Sequence, residues 1–316
     1  MEGRILIIGT RGSTLAMEQA RRVKAALPGE SRIQIIQTSG DRFTEQPLGE
    51  QNPVGFFTKE IQEALLARRI DVAVHSLKDL PTLEPPGLAL AAMMKRDDPG
   101  DLLLVRPVSH DPGNEIPLKT GSVVGASSRR RQAMLQLLRP DIVPRPIRGN
   151  MPTRVDKVRR GDFDAVIISR AGMERLAFDV KPLLPFDLNP CRWPGAPGQA
   201  IIAIEVRVDD GKAFGRAAVM DDKDTHTRAQ AERSLLAAFG GGCHAPFGAY
   251  SKVEEGRTWM FVSAPTADDG FKVVRFQGPD LEGARSGAEQ WVRSGRKYTG
   301  DIKEEEWLCR PARPWC

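Results

Sequence analysis

Long apolar runs are missing from this sequence. The longest are strand-sized pieces such as Ile5–Ile8, far short of the roughly 20 residues that a membrane helix needs, so no membrane partner is expected. The amino-terminal Met1–Arg4 leads straight into that strand with no apolar signal region, and a cytoplasmic protein is expected. Cysteine is scarce. Cys191, Cys243, Cys309 and Cys316 form no C-x-x-C pair and no Cys/His cluster at zinc spacing, so no metal is expected, and a reducing compartment disfavours disulfides. A cysteine in an unusual setting is then of interest for its chemistry. Tyrosine is scarcer still, with two in the chain, and no helix-turn-helix or aromatic RNA-binding pattern occurs, so no nucleic acid partner is expected. The glycines make neither a G-x-G-x-x-G nor a Walker loop, and nucleotide binding has no support.

What the chain does have is size, apolar content and arginine. Its 316 residues exceed a usual single domain, and 41% hydrophobic with 28% charged residues fits a folded globular protein. The net charge is +5, and arginine recurs in short clusters at Arg21–Arg22, Arg68–Arg69, Arg129–Arg131 and Arg159–Arg160. Arg21–Arg22, Arg68–Arg69 and Arg159–Arg160 read as solvated surface charge; with nucleic acid set aside, a polycarboxylate is the anionic partner that remains for the arginine clusters.

Periodicity gives an α/β order. A strand at Arg4–Gly9, a small polar turn at Thr10–Ser13 and a helix at Leu15–Leu27 are followed by a strand at Arg32–Gln37. A helix at Thr58–Ala67 and a buried strand at Ile70–His75 come next. The order recurs as a strand at Ser122–Gly125, a turn at Ala126–Ser128, a helix at Arg129–Leu138, an extended segment at Asp141–Pro146, a helix at Thr153–Arg160 and a strand at Asp164–Ser169. Arg69–Ser76 and Asp162–Ser169 correspond in order, a weak repeat that suggests two lobes of related build. Boundaries fall at Lys95–Gly100 and in the Pro/Gly-rich Asn189–Gly198, with another strand at Ala200–Val206. From about Asp221 a third unit is expected, with a helix at Ala229–Ala238, strands at Trp259–Ala264 and Lys272–Gln277, and a helix at Leu281–Ser294.

Five segments carry chemistry. The two strand-to-helix turns offer helix N-termini to an anion, with Arg11 beside the first and Arg129, Arg130 and Arg131 beside the second. His75-Ser-Leu-Lys-Asp-Leu-Pro81 presents His, Ser, Lys and Asp where a buried strand ends, the place α/β sheets put ligands; Asp79 could be an acid/base group and Lys78 a carboxylate ligand. Arg148-Gly-Asn-Met-Pro-Thr-Arg154 sets two arginines around a turn into a helix. Gly240-Gly-Gly-Cys243-His-Ala-Pro-Phe-Gly248 sets three glycines before a cysteine, costly in a core and sensible where a ligand approaches the backbone closely.

Together with Ile8–Ser13, Gln19, Ala171–Arg175 and Glu232–Tyr250, these segments resemble the porphobilinogen deaminase (hydroxymethylbilane synthase) family along almost the whole chain. The resemblance implies an α/β fold of two solute-binding-protein-like lobes with mixed sheets and a smaller α+β C-terminal domain. It sets domain 1 at 1–96 with 199–218, domain 2 at 97–198 and domain 3 at 219–316. It implies a transferase that condenses four porphobilinogen units head to tail, with loss of ammonia, on a dipyrromethane held by a thioether to Cys243, and then releases hydroxymethylbilane by hydrolysis.

By the same resemblance Asp79 is the catalytic carboxylate, stabilising positive charge on the pyrrole nitrogen, and also a cofactor contact with Lys78, Ser76, Ser128, Arg130 and Arg131. Arg11, Ser13, Gln19, Arg148, Arg154 and Arg175 would serve porphobilinogen and the growing linear oligopyrrole, and a monomer is implied. Departures from the family are Val54 and Glu50 in place of lysines in a lid segment, Ala126 in place of threonine, and Ala200 in place of glycine. They leave open a divergent deaminase that loads its cofactor but elongates poorly. Other readings are a non-catalytic two-lobed binder of anionic small molecules, and a thiol hydrolase pairing Cys243 with His75 or His244.

Overall fold

In the computed structural model the described residues are 4–38, 57–241, 245–267 and 270–295. Contacts group the chain into two units: 1–98 with 174–176 and 198–230, and 99–173 with 177–197 and 231–316. The expected strand 200–206 belongs to the first unit, so the chain leaves that unit and returns to it.

The first unit is built on a five-stranded sheet. β1 (Leu6–Thr10) runs parallel to both β2 (Ser31–Ile35) and β3 (Val72–Ser76); β10 (Ile202–Arg207) runs antiparallel to β3 and to β4 (Leu88–Met93), giving the order β2-β1-β3-β10-β4. All six residues of β10 and four of five in β3 are buried, as expected of strands covered on both faces. Helix α1 (Thr14–Ala26) lays Ala16, Ala20 and Val23 onto the sheet, and α2 (Lys59–Leu66) buries Ile61, Ala64 and Leu65.

A second sheet repeats this plan with different strands. β6 (Val123–Gly125) runs parallel to β7 (Val143–Arg145) and β8 (Ala165–Ser169); β5 (Asp101–Val105) runs antiparallel to β8 and β9 (Leu184–Leu188), in the order β7-β6-β8-β5-β9. The weak sequence repeat therefore marks the two central strands, β3 and β8. Helices α3 (Arg129–Leu138) and α4 (Met151–Arg160) follow β6 and β7, and α5 (Arg170–Leu176) follows β8. The second unit also holds the C-terminal sheet of β11 (Gly248–Glu254), β12 (Arg257–Pro265) and β13 (Phe271–Gly278), fully antiparallel and covered by α8 (Leu281–Arg293). The fold is thus mixed α/β with a small α+β sheet at the C-terminal end.

Differences from the sequence reading have local causes. α6 (Gly211–Ala218) starts where Asp210 caps Ala213, and α7 runs Lys223–Phe239, two turns longer at its start than expected, because the Asp222 carboxylate and carbonyl accept the N–H groups of Thr225 and His226. Among the described residues no helix is long and apolar enough to cross a membrane, and no three His, Cys, Asp or Glu side chains gather as metal ligands.

Candidate functional site

In the first unit the ends of β1 and β3 open into a cavity of about 80 Å³ lined by Arg11, Ser13, Leu15, Ala16, Gln19, Phe57, Thr58, His75, Ser76 and Asp79. Both strands reach it because they are parallel and adjacent, so their carboxyl ends emerge side by side. Five expected residues, Arg11, Ser13, Gln19, Ser76 and Asp79, come together here. Ser13 caps α1 by accepting the Ala16 N–H at 3.3 Å. Gln19, 2% exposed, donates from Nε2 to Ser76 Oγ at 2.9 Å, so a buried amide on the helix fixes a hydroxyl at the strand end. The Arg11 guanidinium lies 4.2 Å from the centre of the Phe57 ring, an attractive arrangement for a cation.

Asp79 closes a 3-10 turn, Leu77–Asp79, that continues β3, and its carboxylate forms no hydrogen bond or ion pair among the described residues. Lys78 on the same turn donates to Gln199 Oε1 at 3.2 Å. Beneath the cavity His75 Nε2 lies 3.4 Å from the buried carboxylate of Glu205, which also accepts Gln62 Nε2 at 3.0 and 3.1 Å. Arg175 is buried elsewhere in this unit, donating to Asp97 at 2.7 Å and to the Ala200 carbonyl at 2.6 Å; burial lowers its pKa against the pull of Asp97. Ala200 holds φ at +71°, a conformation suited to glycine, with its carbonyl under the Arg175 guanidinium.

The remaining expected ligands sit in the second unit. Ser128 is the N-cap of α3, yet its hydroxyl makes no capping bond. Arg130 and Arg131 are buried on Asp101, with Arg130 Nη2 at 2.9 Å and Arg131 Nη2 at 2.7 Å. Burial alone would raise the Asp101 carboxyl, but Arg131 and Arg130 hold it far below the usual range. Arg154 has a different environment: its Nε donates to the Gly149 carbonyl at 2.8 Å, and burial with the like charges of Arg131 and Arg148 pushes its pKa down to about 10. Burial also lowers Arg148. A bound anion would relieve such repulsion.

A dipyrromethane carries carboxylates on each ring, and the donors in the second unit suit it. Arg130 Nε–H is buried with no hydrogen-bond partner, and Ser128 Oγ is not spent on its own helix. Cys243 and His244, with Glu50 and Val54, lie outside the described residues. Cys191 is partly buried, and burial raises its thiol pKa, which favours the unreactive protonated form. Ala126 is fully packed at 1% exposure. Sequence reading missed Asp101, Trp193, Glu205 and Gln62. The signal for Asp101 was an acid opening an all-apolar strand in a chain rich in clustered arginine.

Comparison with known proteins places the chain. Residues 6–214 match the family model "Porphobilinogen deaminase, dipyromethane cofactor binding domain", and residues 226–274 match "Porphobilinogen deaminase, C-terminal domain". Similar proteins named porphobilinogen deaminase include that of Acidothermus cellulolyticus, 44% identical with 94% of this chain and 93% of that one covered, and that of Thermus thermophilus, 40% identical with 91% and 92% covered. That of Syntrophobacter fumaroxidans is 39% identical, with 88% of this chain and 91% of that protein covered. Among solved structures the periplasmic VFT2 domain of Bordetella pertussis BvgS is similar at a TM-score of 0.42 and 12% identity, covering 72% of this chain and 92% of that one. The chain belongs to the porphobilinogen deaminase family.

Proposed function

We propose that this protein is a porphobilinogen deaminase, a transferase that joins four porphobilinogen units head to tail with release of ammonia and frees hydroxymethylbilane by hydrolysis. The observation that carries the site assignment is the cavity that collects Arg11, Ser13, Gln19, Ser76 and Asp79, in a chain whose residues 6–214 match the cofactor-binding domain of the family.

When bound, the dipyrromethane supplies the primer to which pyrrole units are added, and Cys243 is assigned as its thioether attachment. Lys78, Ser76 and Asp79 in the first unit, and Ser128, Arg130 and Arg131 in the second, are assigned to hold it. Asp79 is the catalytic carboxylate in this reading. It reaches the cavity without an ion pair among the described residues, so it can stabilise positive charge that develops on a pyrrole nitrogen as the amine departs. Arg11 in the same cavity, with Arg148, Arg154 and Arg175, neutralises the acetate and propionate groups of porphobilinogen and of the lengthening oligopyrrole. Ser13 and Gln19 orient that ligand through the helix N-terminus and the bonded Ser76 hydroxyl.

The protein acts in this reading as a cytoplasmic monomer. Three separate sheets support a division into domains at 1–96 with 199–218, 97–198 and 219–316. The test is intact mass: the purified protein should be heavier than its sequence by two pyrrole units, and Cys243→Ser should have the unmodified mass. An unmodified parent protein with reversible anion binding would instead indicate a non-catalytic binder.

A further inference from the structure

Asp101 opens β5 at 1% exposure, and four N–H donors converge on it. Its Oδ2 accepts Arg130 Nη2 at 2.9 Å, Arg131 Nε at 3.0 Å and the indole Nε1 of Trp193 at 3.0 Å, while Oδ1 accepts Arg131 Nη2 at 2.7 Å. Next to Trp193 in the chain, the Pro194 carbonyl accepts Arg130 Nη1 at 2.8 Å. One dipeptide thus grips Arg130 twice, directly through the Pro194 carbonyl and indirectly through the carboxylate that the Trp193 indole holds. Gly248 on β11 closes the arrangement. A Cβ there would lie 2.4 Å from the Pro194 carbonyl oxygen and 3.0 Å from Arg130 Cδ, so only glycine lets this strand approach.

Two guanidiniums share one carboxylate, which leaves net positive charge, and Arg130 Nε–H remains the buried donor without a partner. Aim, more than charge, is what Trp193 adds. At 2% exposure its indole cannot swing away, and it adds a neutral donor to the carboxylate that binds the two arginines. We propose that Trp193 is a positioning residue for cofactor capture: through Asp101 it sets the orientation in which Arg130 and Arg131 meet ligand carboxylates. This rests on the assignment of those arginines to the dipyrromethane.

Apo-protein made in cells unable to synthesise porphobilinogen is incubated with porphobilinogen, and covalent loading is followed by intact mass, normalised to the fraction that melts cooperatively. Trp193→Phe keeps an aromatic ring and removes the N–H. It should slow loading about three- to tenfold, the worth of one hydrogen bond. The double variant with Asp101→Asn should load no more slowly than Asp101→Asn alone, because the indole acts through that carboxylate. Loading at the parental rate in Trp193→Phe overturns the proposal, and so does a slowing that adds to that of Asp101→Asn, which marks plain loss of packing. Arg130→Gln separates the two levels. If it loads at the parental rate, the cofactor assignment of Arg130 itself fails; if it loads slowly while Trp193→Phe does not, the positioning role alone fails.

Discussion

The two five-stranded sheets share one plan and put it to different uses. In the first, Ser76 at the end of central β3 faces Ile202 on the antiparallel neighbour; in the second, Ser169 at the end of β8 faces Asp101. The first lobe therefore keeps its nearby acid, Asp79, on an open cavity with no internal partner among the described residues. The second lobe spends its acid on two arginines. The serines at the helix starts differ in the same way: Ser13 caps its own helix, and Ser128 does not. In the proposed function a catalytic carboxylate must stay available, whereas arginines that hold the cofactor must be kept rigid. Two sheets of related build supply both.

The sharpest way to break this contrast is Asp79→Asn. The fold should persist and turnover should fall by about 10²- to 10⁴-fold, measured as ammonia release per enzyme; near-normal turnover would show that Asp79 is not the catalytic carboxylate. Asp101→Asn should do the reverse, costing about 3–5 kcal/mol of stability in denaturant melts because two buried guanidiniums lose their counter-charge. Arg154→Gln should leave stability unchanged or raise it, since a buried and repelled charge disappears, while the KM for porphobilinogen rises at least about tenfold. In the parent protein Arg154 is charged below and neutral above its pKa, so anion affinity should weaken as pH rises through about 10.

A smaller effect separates the two serines. Ser13→Ala should lose about 1 kcal/mol of stability with its capping bond, and Ser128→Ala should lose little stability but load cofactor more slowly. The smallest change is Ala200→Gly, expected to stabilise by about 1 kcal/mol and raise the melting temperature by about 2–4 °C, because Ala200 occupies a left-handed conformation.

The strand-turn-helix starts were legible because glycine, serine and apolar runs mark them directly, and the repeat in 69–76 and 162–169 located both central strands. The cavity residues were legible for the same reason: they sit in the turns that follow those strands. β11 was not, because it has few apolar residues and its inward-facing Ser251 is buried only by bonding to the distant Glu232 carboxylate. Nor was the Asp101 knot. Its members come from three places, a strand start, a helix start and a Pro/Gly-rich linker, and nothing local in any of them announces the others. Ala200 was visible as a departure from the family, but its left-handed φ needed coordinates.

The return of β10 to the first sheet has a consequence during synthesis. β4 pairs with β10, and β10 also covers the open side of β3. Until Ile202–Arg207 has left the ribosome, β3 carries a bare hydrogen-bonding edge and β4 has no neighbour in the sheet. The nascent amino-terminal lobe must therefore wait, unfinished and prone to pair with the wrong strand, while the whole inserted lobe is translated.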